Sequence, residues 1–413
     1  MLFLTTIIFK QINYLKSFQK SYSLFLNYPS IIYNNEHLAI QETLKKIIDR
    51  DINPNVDQWE EANIFPAKKI FKILGDAGIF GIDKPIEYGG SGLDYTYNIA
   101  VAEQVGAIRC GGVGMGIGVQ LSLTTPSLIR FGSDKLKKEF LAPTISGDLV
   151  SCLGVSEIGG GSDVSAIKTT ARFDGDDMVI NGGKMWITNG LQADWMCLLA
   201  NTEVDKKVHS NKSLIALPMN LPGIKVTKID KIGMKSSDTA QIYFDDVRVP
   251  KSHIIGERGK GFIYQMMQFQ EERLSISASS LLQLERVIKE TLEYASQRKM
   301  YGKRLIDNQV VAFTLAELLT ELECVRSLLH RAVYNYTFDK IDVTPLASMV
   351  KLKIGRICRE ITDKCLQFHG GTGFTSDVLV SRMFRDLRLV SIGGGADEVM
   401  LDIITKYMSK RLD

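Results

Sequence analysis

Proline is placed so unevenly that it divides the chain. Nine of the ten prolines lie at or before Pro250, and only Pro345 falls in the last 163 of the 413 residues. A proline inside a helix removes a backbone hydrogen bond and clashes with the preceding turn, so a long stretch nearly free of it can be built from long helices. The apolar spacing there agrees: Val311, Leu315, Leu318, Leu319, Leu322 and Val325 recur every three or four residues, as one buried helix face requires. Between about 150 and 250 the period changes. AIKTTARF, Asp174-Gly175, DMVIN, Gly182-Gly183 and KMWITNG read as short strands joined by turn dipeptides, and SLIAL, IKVTKI and AQIYFDDVRV follow. Strands without intervening helices imply an antiparallel sheet or barrel. Residues 36–145 are again helical in pattern, with EHLAIQETLKKIIDR and DKLKKEFLAPTISG the clearest pieces. The order is therefore α, then β, then α.

That order argues against a Rossmann domain, which alternates strands and helices. The clusters GGVGMGIG, GGGSD and GGTG do not supply its fingerprint after a strand and before a helix. Six cysteines at 110, 152, 197, 324, 358 and 365 form no C-x-x-C, and five dispersed histidines form no H-E-x-x-H. Buried free thiols and no metal site are expected. The formal charge of +3 comes from residues 1–35, which hold Lys10, Lys16 and Lys20 and no acid; the rest is balanced, 47 against 47, which argues against a nucleic-acid surface. With Ser17, Ser21 and Ser23 among apolar residues at near-helical spacing, that stretch reads as an organellar targeting segment, with a secretory signal or a plain tail as rivals. No apolar run reaches the roughly 20 residues that span a bilayer.

The chemistry is concentrated in CLGVSEIGGGSDVSAIKTTA (152–171). A strand running into Ser-Glu, three glycines and Ser-Asp exposes backbone N–H groups and small hydroxyls to a planar polar ligand. Alone, such a segment is more often only a turn. Fifteen residues later KMWITNG adds the flat face of Trp186 and the hydroxyl of Thr188. With FDDVRVP (244–250), GERGKGF (256–262), QEERL (270–274), SQRKMYGKRLIDNQ (296–309), CLQFHGGTGF (365–374) and GGGADEV (393–399), in this order over roughly residues 36–410, the chain resembles the acyl-CoA dehydrogenase family.

The resemblance implies an α+β multidomain fold: an α-helical N-terminal domain (36–148), a central antiparallel β-barrel (149–255) and a C-terminal four-helix bundle (256–413), after a targeting segment (1–35). It implies non-covalent FAD, an acyl-CoA substrate, an electron-transferring flavoprotein as acceptor and a homotetramer built as a dimer of dimers, in the mitochondrial matrix. Carried over by position, Leu153, Val155, Ser156, Gly161, Ser162, Trp186, Ile187 and Thr188 would line the isoalloxazine ring. Arg298 would bind the pyrophosphate across a subunit boundary, where a planar guanidinium matches phosphate. Gln309, Gln367, Gly370, Gly371, Ala396, Asp397 and Glu398 would hold the adenosine portion. His369 would pack beside the cofactor. Ser162, Arg273, Gly394 and Gly395 would meet the acyl-CoA.

The reaction so implied, α,β-dehydrogenation to a trans-2-enoyl-CoA, needs a carboxylate aimed at Cα. Many relatives place it where this chain has Gly394, which cannot accept a proton. Branches resembling isovaleryl-CoA and long-chain acyl-CoA dehydrogenases take it instead from the Glu directly before Arg-Leu, here Glu272, with Glu271 as the fallback. Two departures stand out: Ile158 replaces a usual proline and Tyr301 a frequent Phe. The rival readings are an acyl-CoA oxidase, which would carry a longer C-terminal region, and a catalytically silent paralogue, which would lack both carboxylates. Acyl chain length and branching stay open.

Overall fold

The computed structural model describes residues 24–25, 30–203 and 205–410; the expected targeting segment lies almost wholly outside them. The chain begins its helical layer with α1 (Asn35–Ile47), capped by the Asn34 side chain, which accepts from the Glu36 and His37 amides. It continues through α2 (Val56–Ala62), α3 (Ala67–Asp76), α4 (Tyr95–Val105), α5 (Gly111–Gly118) and α6 (Pro126–Phe131), with irregular helical turns to Ile145. Trp59, Phe65, Phe71 and Phe80 fill its core. The glycines of α5 are there for close approach. A Cβ on Gly112 would sit 2.3 Å from Ser236 Oγ, and one on Gly111 would sit 2.9 Å from Asp386 Cβ.

Eight strands follow: β1 (Ser151–Gly154), β2 (Thr170–Asp174), β3 (Asp177–Thr188), β4 (Trp195–Asn201), β5 (Lys212–Pro218), β6 (Ile224–Lys228), β7 (Thr239–Pro250) and β8 (Ile254–Ile255). They form one sheet in the order β6-β7-β3-β2-β4-β5-β8, with β1 joined to β4. This corrects the expected antiparallel barrel. The described strands leave the sheet open, and β4 pairs in parallel with β1 and β2, so the sheet is mixed. The physical reason is visible in β4. Met196, Leu198 and Ala200 enter one core, while Trp195, Cys197 and Leu199 enter another with Leu128, Phe140 and Tyr264. Its uninterrupted apolar run WMCLLA marks a strand buried on both faces, the setting in which parallel neighbours occur. A second expectation also changes. Gly182-Gly183 is not a turn between strands but a register shift inside the continuous β3, with Gly182 at φ +132° and its Cβ position 2.8 Å from Thr169.

The last third holds α7 (Gly261–Gln297), α8 (Gln309–Tyr334), α9 (Thr344–His369), α10 (Leu379–Asp386) and α11 (Asp397–Ser409). Leu281, Leu284 and Ile288 of α7 share one core with Leu315, Leu322 and Leu329 of α8 and Val350, Ile354 and Ile361 of α9. Leu319, read as part of the buried stripe, is only half-buried. Asp386 ties all three regions together: its carboxylate accepts the Gly111 amide at 2.8 Å and also the Met234 amide. Burial, aided by the nearby Glu60, pushes that carboxyl up to about 6. Five of the six cysteines are buried free thiols; Cys324 is exposed, contrary to expectation. Among the described residues no helix is long and apolar enough to cross a membrane.

Candidate active site

Three groups of the expected residues can be located. The first is a platform made by the loop after β1 and the middle of β3. The Met185 amide donates to the Ser156 carbonyl at 2.9 Å, which lays the 156–162 loop beside Trp186. Beneath it Lys184 Nζ, fully buried, bonds Glu157 Oε1 at 2.8 Å and the Val155 carbonyl at 2.9 Å. Glu157 also accepts the Lys168 and Thr169 amides at 2.7 and 3.1 Å. Burial pushes this carboxyl up, but Lys184 and the two amides outweigh it and hold it below the usual range.

On this base Trp186 stands in a β3 irregularity at φ +61°, with half of its surface exposed. A bulky residue in that left-handed region is strained, and the strain is compatible with a ring held outward for a ligand. Leu153, Ser156 and Thr188 are half-buried and Gly161 and Ser162 exposed, whereas Val155 and Ile187 bury their side chains and can offer only backbone groups. A Cβ on Gly159 or Gly161 would meet nothing within 4 Å. An exposed indole beside an open rim of amides and hydroxyls fits a planar, polar-edged ring system. Ile158, in the proline's place, is exposed and touches none of this network by hydrogen bond.

The second group surrounds Glu272. This carboxylate lies on α7 and is only 7% exposed, and burial pushes it up to about 7 against the opposing fields of Arg273 and Lys351. Its Oε2 is buried without a hydrogen-bond partner among the described residues. It faces Gly394: a Cβ built there would lie 3.4 Å from Glu272 Oε1, 3.5 Å from Lys351 Cε and 2.9 Å from Ile276 Cδ1. Gly394 and Gly395 have φ of +65° and +104°. Gly394→Ala should therefore destabilise the protein by about 1–3 kcal/mol, through strain and contact with Ile276, which thermal unfolding would measure. Arg273 is buried too; Nη1 donates to Gln270 Oε1 at 3.1 Å, while Nε has no partner and lies 3.9 Å from the Cβ position of Gly395. Glu271 points elsewhere, into an ion pair with Arg130 and a hydrogen bond from Tyr336. Beyond Ile276 an internal crevice continues, walled by Gly111, Gly114 and Gly118 of α5, Ser280 of α7 and Val390.

The third group lies at the bundle surface. Tyr294 Oη donates to the His369 carbonyl at 3.3 Å and stacks on its ring, bringing the end of α7, where Arg298 sits, to the end of α9, where Gln367, Gly370 and Gly371 sit. Arg298, Gln309, Gln367, Gly370 and Gly371 are exposed, and His369 is buried. Ala396, Asp397 and Glu398 open α11; Asp397 is buried and held by Arg359 at 2.9 Å, and Glu398 is exposed.

Three consecutive stretches match models of the N-terminal (34–148), middle (152–247) and C-terminal (259–409) domains of acyl-CoA dehydrogenase. The chain belongs to the acyl-CoA dehydrogenase family. It is 33% identical over 387 residues to the mitochondrial short-chain specific acyl-CoA dehydrogenase of Bos taurus, covering 93% of this chain and 92% of that one. It is 32% identical to the probable acyl-CoA dehydrogenase YngJ of Bacillus subtilis (strain 168), covering 91% and 98%. The solved acyl-CoA dehydrogenase of Geobacillus kaustophilus superposes with a TM-score of 0.88 at 29% identity, over 94% of this chain and 99% of that one. Relatives are thus both mitochondrial and bacterial. This dehydrogenase is an FAD oxidoreductase, and FAD is the cofactor its platform fits.

Two parts of the site escaped the sequence reading. The Glu157–Lys184 pair joins residues 27 apart, and no local pattern announces it. Lys351 left a signal: it falls on the buried stripe of α9 with Ala347, Val350, Ile354 and Cys358, where a charge is out of place.

Proposed function

We propose that this dehydrogenase desaturates an acyl-CoA thioester to the trans-2-enoyl-CoA, with Glu272 as the base. The observation that carries the reading is the buried Glu272 carboxyl, one oxygen unpartnered, facing a glycine across the space where the acyl group would enter. Leu153, Val155, Ser156, Gly161, Ser162, Trp186, Ile187 and Thr188 would hold the flavin. Arg298, Gln309, Gln367, Gly370, Gly371, Ala396, Asp397 and Glu398 would hold the rest of FAD. When bound, the flavin supplies a two-electron acceptor for the hydride leaving Cβ.

The protein's own work is at the proton. Gly394 and Gly395 leave room for the thioester, Ser162 and Arg273 touch it, and the crevice along α5 takes the acyl chain. Glu272 removes the Cα proton, and the electron pair of that C–H bond becomes part of the new double bond as hydride leaves Cβ. A carboxyl held near 7 is a far better match to a weakly acidic C–H than an ordinary one. The electrons would pass to an electron-transferring flavoprotein. The exposed ends of α7 and α9, flanked by exposed Tyr301, Val310, Phe313 and Phe374, support completion of the cofactor site by a second copy in a dimer-of-dimers tetramer. The acid-free residues 1–35 support a mitochondrial matrix location.

Anaerobic flavin bleaching across a panel of straight and branched acyl-CoAs tests the reading. Rapid bleaching by at least one of them is expected, with reoxidation by an electron-transferring flavoprotein and little peroxide in air. Peroxide as the main product would transfer the chain to the oxidase reading, and no bleaching by any member would reject catalysis.

A further inference from the structure

We infer that Lys351 is a positioning residue for this reaction: its ammonium clips the Val390–Gly395 turn shut and stands as the cation against which the Glu272 carboxylate is held. The inference deepens, and rests on, the reading of Glu272 as base.

Lys351 is fully buried on the core-facing side of α9. A buried ammonium costs several kcal/mol unless charge and hydrogen bonds compensate, and an apolar side chain would fill the same space without that cost. Among the described residues no carboxylate comes within ion-pair distance of it. Its Nζ instead donates to the carbonyls of Val390 and of Gly395, the latter at 3.0 Å. Those two carbonyls bracket the turn that carries Gly394 and Gly395, both in the left-handed region; its own bonds are those of the Ile392 and Gly393 amides to the Leu389 carbonyl and of the Ser391 hydroxyl to the Gly355 carbonyl. Two hydrogen bonds from one ammonium, anchored on α9, close that turn.

The same side chain reaches the base. Glu272 Oε1 and Lys351 Cε both lie within 3.5 Å of the point where a side chain on Gly394 would begin. The charged and titratable groups around them are few. Glu272 and Arg273 come from α7, Asp397 from α11 and Cys358 from α9 itself, and Glu272 responds to Arg273 and Lys351 alone. Without Lys351 one of the two cations favouring the Glu272 carboxylate is lost while its burial remains. The base would then stay protonated to higher pH, and the turn facing it would loosen.

The test uses the FAD-loaded enzyme as wild type, Lys351→Met, Lys351→Gln and Glu272→Gln. The pH dependence of flavin bleaching reads the charge, and amide hydrogen exchange over residues 391–396 reads the clip. Both Lys351 variants should move the acidic limb of the bleaching rate up by about 1 pH unit, since both remove the cation. Exchange should speed at least tenfold in Lys351→Met and less in Lys351→Gln, which keeps a donor. An unmoved limb in the two variants, or unchanged exchange in Lys351→Met, overturns the proposal; if the Met variant does not fold, the Gln variant alone decides the limb. Glu272→Gln separates the two readings. Rapid bleaching there removes the base assignment itself, whereas slow bleaching with an unmoved limb in the lysine variants removes Lys351 alone.

Discussion

Glu272→Gln should leave FAD bound and slow its bleaching by acyl-CoA by about 10²–10⁴, the usual contribution of a positioned general base. Gln keeps the volume, and the bonds that hold the platform, from Lys184, Lys168, Thr169 and Met185 to residues 155–157, do not involve Glu272. In the wild type the bleaching rate should rise with pH through about 7, because only the carboxylate can take the proton. The same substitution should also stabilise the fold, with a definite sign in pH. The carboxyl titrates at about 7 when folded and near an ordinary carboxyl's 4.5 when unfolded. Its contribution to stability is therefore full below pH 4.5 and lost as pH rises through 7. That difference amounts to roughly 3 kcal/mol, a net figure in which the attraction of Arg273 and Lys351 for the carboxylate is already included. Thermal unfolding at pH 8 should favour Glu272→Gln, and at pH 4.5 the two proteins should nearly coincide. A variant less stable than wild type at pH 8 would mean that Glu272 is held by partners and is no poised base.

What could be read in the sequence follows the range of the physics behind each signal. The helical last third was legible because proline exclusion and the 3.6-residue stripe of Val311 to Val325 act within a single helix. The ordered motifs identified the family. Sheet closure and strand direction were not legible in the same way, since they depend on which strands meet. The run WMCLLA did hold a warning: a strand apolar at successive positions is buried on both faces, and such a strand is a poor candidate for one wall of a simple antiparallel barrel. Gly182-Gly183 misled because the same dipeptide serves a turn and a bulge, and only the pairing of β3 with β7 separates the two. For Glu272 the motif located the residue, but its burial and its opposition to Gly394 arise from α7 meeting the turn before α11. Those are contacts between residues more than a hundred positions apart.

The second large effect is expected under the flavin platform. Lys184→Met should cost about 3–5 kcal/mol, as removal of one partner of a buried ion pair does, because Glu157 stays buried with its charge answered by two amides only. Lys184 also bonds the Val155 carbonyl, so the variant removes two hydrogen bonds from the segment that leads into Ser156, Gly161 and Ser162. The Met185 amide and Ser156 carbonyl bond would then be the main remaining tie between loop and strand. The flavin-to-protein ratio after gel filtration should fall well below that of the wild type, with a matching drop in thermal stability. The double variant Glu157→Gln/Lys184→Met separates charge from packing. Removing both charges relieves the stranded carboxylate, so it should recover a good part of the lost stability while the loop, still without its lysine bridge, retains less FAD than wild type. Should Lys184→Met instead keep full flavin content and wild-type stability, the ion pair is dispensable and the loop is held by the Met185 to Ser156 bond together with the Lys168 and Thr169 amides on Glu157.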